Sequence, residues 1–201
     1  MSTTEASNNA AAVATTTTTT TISIGDDGGQ VGYIKTTTHN YISRQAKIEG
    51  PKQVELKGRS IIQPNVVVRG DLSIIRIGRY CEICPHTTLE PAIHPLTKAY
   101  IPMVIGSHTH IGTNCNIQAA AIGSMVWIGN DVTLGKRVII KDNCVLDDGV
   151  VLGDDTVIPP FTRIAKQDVT VYQELPPATA VQLQELSMDR FQEFKEQQKK
   201  Q

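Results

Sequence analysis

From Ile122 to Ile164 a large aliphatic residue returns at every sixth position: Ile122, Ile128, Leu134, Ile140, Leu146, Leu152, Ile158 and Ile164. Earlier registers of the same beat run through Ile77, Ile83 and Leu89, and through Ile105, Ile111 and Ile117. Four residues after each aliphatic comes a second restricted position. It holds Cys81, Thr87, Thr109, Cys115, Ala121, Val126, Val132, Val138, Cys144, Val150, Thr156 and Thr162, all small or β-branched. A period of six belongs neither to an α-helix nor to a simple alternating strand. It is the hexapeptide rhythm of a parallel β-helix, in which each hexad makes a short strand and a turn and three hexads close a triangular coil. Both restricted positions then point inward. Glycine often follows the aliphatic (Gly78, Gly106, Gly112, Gly123, Gly129, Gly135 and Gly153), and there it is expected to supply backbone conformations that a β-carbon would penalise. The hexads suffice for five to six coils within residues 33–167.

Two interruptions stand out. The step from Ile117 to Ile122 is five residues, so one turn is shortened. Between Leu89 and Ile105 lies "EPAIHPLTKAYIPMV", whose prolines and Tyr100 predict a protruding loop of the kind that carries function. Residues 1–32 are threonine-rich and too poor in apolar surface to offset their ordering entropy, so a disordered tail is expected. Residues 168–201 read as a linker and a C-terminal helix entered at Pro176 and Pro177. Val181, Leu183, Leu186, Met188, Phe191 and Phe194 give it an imperfect apolar side, suited to packing along the β-helix.

Composition removes several classes of function. With 19 basic and 20 acidic residues and no dense basic run, no phosphate-tracking surface is expected, hence no nucleic acid. No apolar stretch approaches the roughly 20 residues that span a bilayer, so no membrane insertion is expected. The N-terminus has no secretory pattern, and the four cysteines are expected to be reduced thiols in the cytosol.

"GSHTHIGTNCNIQ" (106–118) has the residue types of a metal site, in His108, His110 and Cys115. The rhythm argues against it. Cys115, like Cys81 and Cys144, holds the small inward position and reads as core filler. His108 and His110 flank the inward Thr109 and face away from the core, so thiol and imidazoles cannot meet on one ion. Cys81-x-x-Cys84 is a lone CxxC with its first thiol turned inward, a weak metal signal. Lys136, Arg137 and Lys141 read as a solvated positive cluster.

"VVVRGDLSIIRIG" (66–78) followed by hexads resembles the γ-class carbonic anhydrase superfamily. The resemblance implies a left-handed parallel β-helix with a C-terminal helix running back along its body. It also implies a three-histidine zinc site, whose positions fall here on Glu90, Thr113 and Gln118. None is histidine, and these are poor zinc ligands beside imidazole, so neither a metal nor another cofactor is expected. Cys84-Pro85 stands where those enzymes carry Gln-Asp. For Arg69 and Asp71 the resemblance implies ion pairs that orient loops at a subunit contact.

Within that superfamily the chain is more similar to the dynactin subunit 5 family. The shared stretches are "YI" (33–34), "SRQ" (43–45), "VVRGDL" (67–72), "IGRYC" (77–81), "NIQAAAIGSMVWIGNDVTLGKRVIIKDNCVLDDGVVL" (116–152), "IPPFT" (158–162) and "ELP" (174–176). The threonine-rich N-terminus and "HPLTKAY" depart from it. This resemblance implies a non-catalytic structural subunit of dynactin's pointed-end complex, in the cytoplasm on the cytoskeleton. Its implied partners are dynactin subunit 6, dynactin subunit 4, the pointed-end actin-related protein and dynein adaptors. The alternatives are a degenerate γ-class carbonic anhydrase-like protein or a hexapeptide acyltransferase. For the latter, "VWIGNDVTLG" and the His94-Pro95 pair are similar to acetyltransferase motifs, with His94 as the base.

Overall fold

The hexads close into triangular coils because each supplies one short strand to one of three walls. The computed structural model describes residues 32–166 and 168–200, so the expected disordered tail lies outside the described residues apart from Gly32. The first wall takes Tyr41–Ser43, Ile61–Ile62, Glu82–Ile83, His110–Ile111, Trp127–Ile128, Val145–Leu146 and Thr162–Ala165, all parallel. The second takes six strands, from Lys47–Glu49 to Val151–Leu152. The third takes six, from Val54–Gly58 to Val157–Ile158. The result is a left-handed parallel β-helix of about six turns.

Among the described residues, only the first wall is extended at both ends by a strand of opposite direction. Tyr33–Lys35 pairs antiparallel with Tyr41–Ser43 at one end, and Asp168–Glu174 pairs antiparallel with Thr162–Ala165 at the other. The second and third walls finish on strands with one unpaired side.

The aliphatic columns fill the axis. Ile128, Leu134, Leu146, Ile158 and Ile164 have no exposed surface, and each such side chain contributes roughly 1.5–3 kcal/mol. The small inward residues do more than fill space. Thr87 and Thr109 donate their hydroxyls to the Gly112 and Gly123 carbonyls of the next coil, at 2.7 and 3.0 Å. Cys81, Cys115 and Cys144 donate S–H to the carbonyls of Gly106, Gly129 and Pro159 at 3.0, 3.2 and 3.1 Å. Threonine and cysteine interchange at this position because each carries one hydrogen toward the same kind of carbonyl. Burial pushes the Cys81 thiol up to about 12, so it stays protonated as that bond requires.

Two expectations need correction. Ala121 does not face inward: it stands opposite Val104 and Ile139 as the outward neighbour of Ile122, and Ala119 is the fully buried residue instead. The shortened turn removes one residue, and adjacent strand residues cannot both point in. The hexad glycines also serve a different purpose from the one expected. None of them has positive φ; that conformation falls two residues later, on Met125, Asp131 and Arg137. Those backbones are held by bonds to the preceding coil, such as Met125 N–H to the Ser107 carbonyl at 2.8 Å. All of these glycines except Gly153 are needed for close approach: a β-carbon at Gly78 would lie 2.6 Å from the Gly106 carbonyl carbon.

The C-terminal helix, Ala178–Gln197, lies along the first wall and runs back toward the early coils. Thr179, Leu183, Ser187, Arg190, Phe191 and Phe194 recur at helical spacing on its covered side. Phe191 and Phe194 pack among Tyr33, Tyr41, Tyr80 and Ile61. Val181 and Leu186, expected on the apolar side, are exposed.

Candidate functional site

On the first wall Ile61, Glu82, His110 and Trp127 stand opposite one another on successive coils. Each precedes an inward aliphatic, so all four point outward, under the helix. Two ionisable groups are thereby covered: His110 is 8% exposed and Glu82 9%. The cover turns what would be a wet surface into a seam whose void is about 10 Å³. That is room for a single water at most, and none for a substrate.

Among the described residues, no fully buried side-chain nitrogen or oxygen of the seam lacks a partner. Glu82 Oε2 accepts from His110 Nδ1 at 3.2 Å and from Arg190 Nε, while Oε1 accepts from Gln63 Nε2 at 2.8 Å. Burial raises the Glu82 carboxyl, but the hydrogen bonds from His110 and Arg190 outweigh it and hold the group down at about 2. The imidazole stacks on Trp127 with ring centres 3.9 Å apart, and the Arg190 guanidinium sits 5.7 Å from the centre of the same indole. The remaining ring nitrogen, Nε2, faces Cys84 Sγ at 3.9 Å. Burial, then the nearby Glu82 charge, push the Cys84 thiol up to about 12, so it is the proton donor in that contact.

His108 anchors the helix by a second contact. Its Nδ1 lies 2.7 Å from Ser187 Oγ, whose hydroxyl donates to the Gln184 carbonyl, so the histidine supplies the N–H. Its ring stacks on Tyr80, and burial lowers its pKa. Both histidines therefore face away from the coil core, as their flanking of Thr109 predicts, yet the helix covers them.

Glu82, Cys84 and His110 bring three metal-ligating atoms within 4.8 Å of one another. This constellation was missed in the sequence because Cys84 is read there beside Cys81 and not beside a histidine 26 residues away. The available signal was phase: Glu82, Cys84 and His110 all alternate with inward residues.

The other candidate residues fall elsewhere. Gln118 Nε2 donates to Glu90 Oε1 at 3.4 Å, whereas Thr113 is held through its own N–H by Asn130 Oδ1. Arg69 grips Asp71 with two bonds of 2.9 Å and also meets Glu49 at 2.7 Å. His94 spends Nδ1 on the N–H groups of Leu96 and Thr97, as a turn of its own loop. Lys136, Arg137 and Lys141 are not one solvated cluster. Arg137 is clamped by both oxygens of Asp155 and donates to the Ile93 carbonyl at 3.1 Å, tying the protruding loop to the column.

With this geometry in place, comparison with known proteins gives one decisive match. The family described as Dynactin subunit 5 matches residues 28–199. The chain belongs to the dynactin subunit 5 family. A curated relative, dynactin subunit 5 of Dictyostelium discoideum, is 38% identical over 94 residues, 46% of this chain and 48% of that protein. The match thus spans about half the relative's length. Among solved structures, a hexapeptide transferase family protein from Anaplasma phagocytophilum is 15% identical. It covers 75% of this chain and 90% of its own, with a TM-score of 0.43. A point mutant of AntD, an N-acyltransferase from Bacillus cereus, is 16% identical over 75% and 88%, with a TM-score of 0.45. Likenesses this distant carry no functional argument.

For this dynactin subunit 5 family member the zinc site of the γ-class enzymes does not fit. The positions that the resemblance assigns to it hold Glu90, Thr113 and Gln118, none of them histidine, and Glu90 already accepts from Gln118.

Proposed function

We propose that this chain is a non-catalytic structural subunit of dynactin, acting in the cytoplasm within the pointed-end complex. Its neighbours there are dynactin subunit 6, dynactin subunit 4 and the pointed-end actin-related protein, and the assembly engages dynein adaptors. Family membership supports the dynactin role. The observation that carries the scaffold reading is the outer surface of the third wall. Val104, Ala121, Ile139 and Val157 stand in register there as an apolar row, with Val104 42% and Val157 52% exposed. A flat apolar row on a stiff column suits a second flat-sided subunit. Arg69, Asp71 and Glu49 then orient the nearby loop at a subunit contact. Reconstitution tests this: the full chain should co-elute with dynactin subunit 6, and the double variant Val104→Glu/Val157→Glu should elute alone while still folded. Failure of the parent chain to associate with any pointed-end subunit would refute the role. Carbon dioxide hydration no faster than buffer after zinc loading is expected, and zinc-dependent turnover would overturn the non-catalytic reading.

A further inference from the structure

Cys84 lies two residues beyond Glu82 and so shares its outward direction, while His110 occupies the adjacent strand. Their ligand atoms face each other beneath the C-terminal helix, 3.9 Å apart. We propose that Cys84 and His110 form a binding site for copper(I), with Glu82 orienting the imidazole and Arg190 balancing the carboxylate.

Three features point to this ion. A metal sits about 2.3 Å from a thiolate sulfur and about 2.0 Å from an imidazole nitrogen, so a gap of 3.9 Å is one that a single ion bridges with two ligands. The far nitrogen of His110 is fixed on Glu82, the carboxylate–histidine arrangement that sets the tautomer and aims the other lone pair at a metal. That lone pair faces the only sulfur near it among the described residues. The third feature is charge. Copper(I) replaces the thiol proton, Cys84–SH plus Cu⁺ giving Cys84–S–Cu plus H⁺. The new thiolate and the ion cancel, and Glu82 continues to cancel Arg190. Zinc(II) would add an unmatched positive charge beside Arg190 and, to reach its usual three protein ligands, would have to draw Glu82 away from Arg190 and the imidazole. Soft thiolate with imidazole and low coordination suits a soft monovalent ion. The other thiols offer no such pair: Cys81, Cys115 and Cys144 are turned inward onto backbone carbonyls.

The test is an anaerobic titration of the reduced full-length protein with copper(I), in competition with a colorimetric copper(I) chelator. One equivalent should bind with release of one proton. X-ray absorption should show one sulfur and one nitrogen. Cys84→Ser and His110→Gln should each lose that equivalent, Cys144→Val should keep it, and Glu82→Gln should weaken it by roughly 10-fold to 100-fold. Unchanged stoichiometry in folded Cys84→Ser, or no uptake by the parent, would refute the site. Should either ligand variant fail to fold, the spectrum of the parent decides, and sulfur-only coordination there overturns the proposal. Tighter uptake of zinc, dependent on Glu82, would overturn the choice of ion.

Discussion

Arg190 and Glu82 are 108 residues apart in the chain, yet the guanidinium donates directly to the carboxylate, joining the C-terminal helix to the third coil. Glu82 keeps only 11% of its side chain exposed while Arg190 keeps 38%, so the helix brings a half-wet cation to a dry anion. Removing that cation leaves a buried charge with two side-chain donors, His110 and Gln63.

Arg190→Ala should therefore destabilise the protein by about 1–3 kcal/mol, toward the lower end because Arg190 is partly solvated. Thermal melting should fall by several degrees, and the helix should become cleavable by protease while the coils resist. An unchanged midpoint would show that the contact contributes nothing.

The same carboxylate predicts acid sensitivity. Its folded pKa of about 2 lies below the ordinary 4.5, so its contribution is fully present above about pH 4.5 and is lost as pH falls toward 2. Glu82→Gln should flatten stability across that window, measured as melting midpoint against pH. An identical acid limb in parent and variant would place the lability elsewhere.

Close packing of coils makes two glycines behave oppositely. At Gly129 a β-carbon would lie 2.7 Å from the Asp148 nitrogen, whereas at Gly153 nothing lies within 4 Å. Gly129→Ala should cost about 1–3 kcal/mol, and Gly153→Ala should be neutral or stabilise by up to about 1 kcal/mol. Equal denaturation midpoints for the two variants would contradict the close-approach account.

Leu146→Asp places a charge at a position with no exposed surface, with no cation in the aliphatic column to meet it. Loss of about 4 kcal/mol or more is expected, read as unfolding of several coils by circular dichroism. A parent-like melt would mean that Leu146 does not face the axis.

The protruding loop depends on Arg137. Arg137→Ala removes the bond to the Ile93 carbonyl and the clamp on Asp155. Faster proteolysis between residues 93 and 100 is expected, with a global stability change under about 1 kcal/mol.

The axial columns were legible because a side-chain period of six repeats too often for any other fold to accommodate. The shortened turn at 117–122 was visible, but not which alanine it turned inward: that depends on strand alternation overriding the count from Ile117. The seam was hidden for a different reason. Glu82, His110 and Trp127 look like ordinary outward residues until a helix lies over them, and the residues that place it there, Ser187 and Arg190, are polar. A search for an apolar helix side finds Leu183, Phe191 and Phe194, which are covered, together with Val181 and Leu186, which the structure leaves in water.

The strands Tyr33–Lys35 and Asp168–Glu174 reverse the chain direction at both ends of the first wall, while among the described residues its two neighbours stop on parallel strands. End-to-end stacking of identical prisms would continue a parallel ladder on all three walls, and here one rim in three runs the other way. A parallel ladder therefore cannot pass unbroken from one such column into the next along that wall.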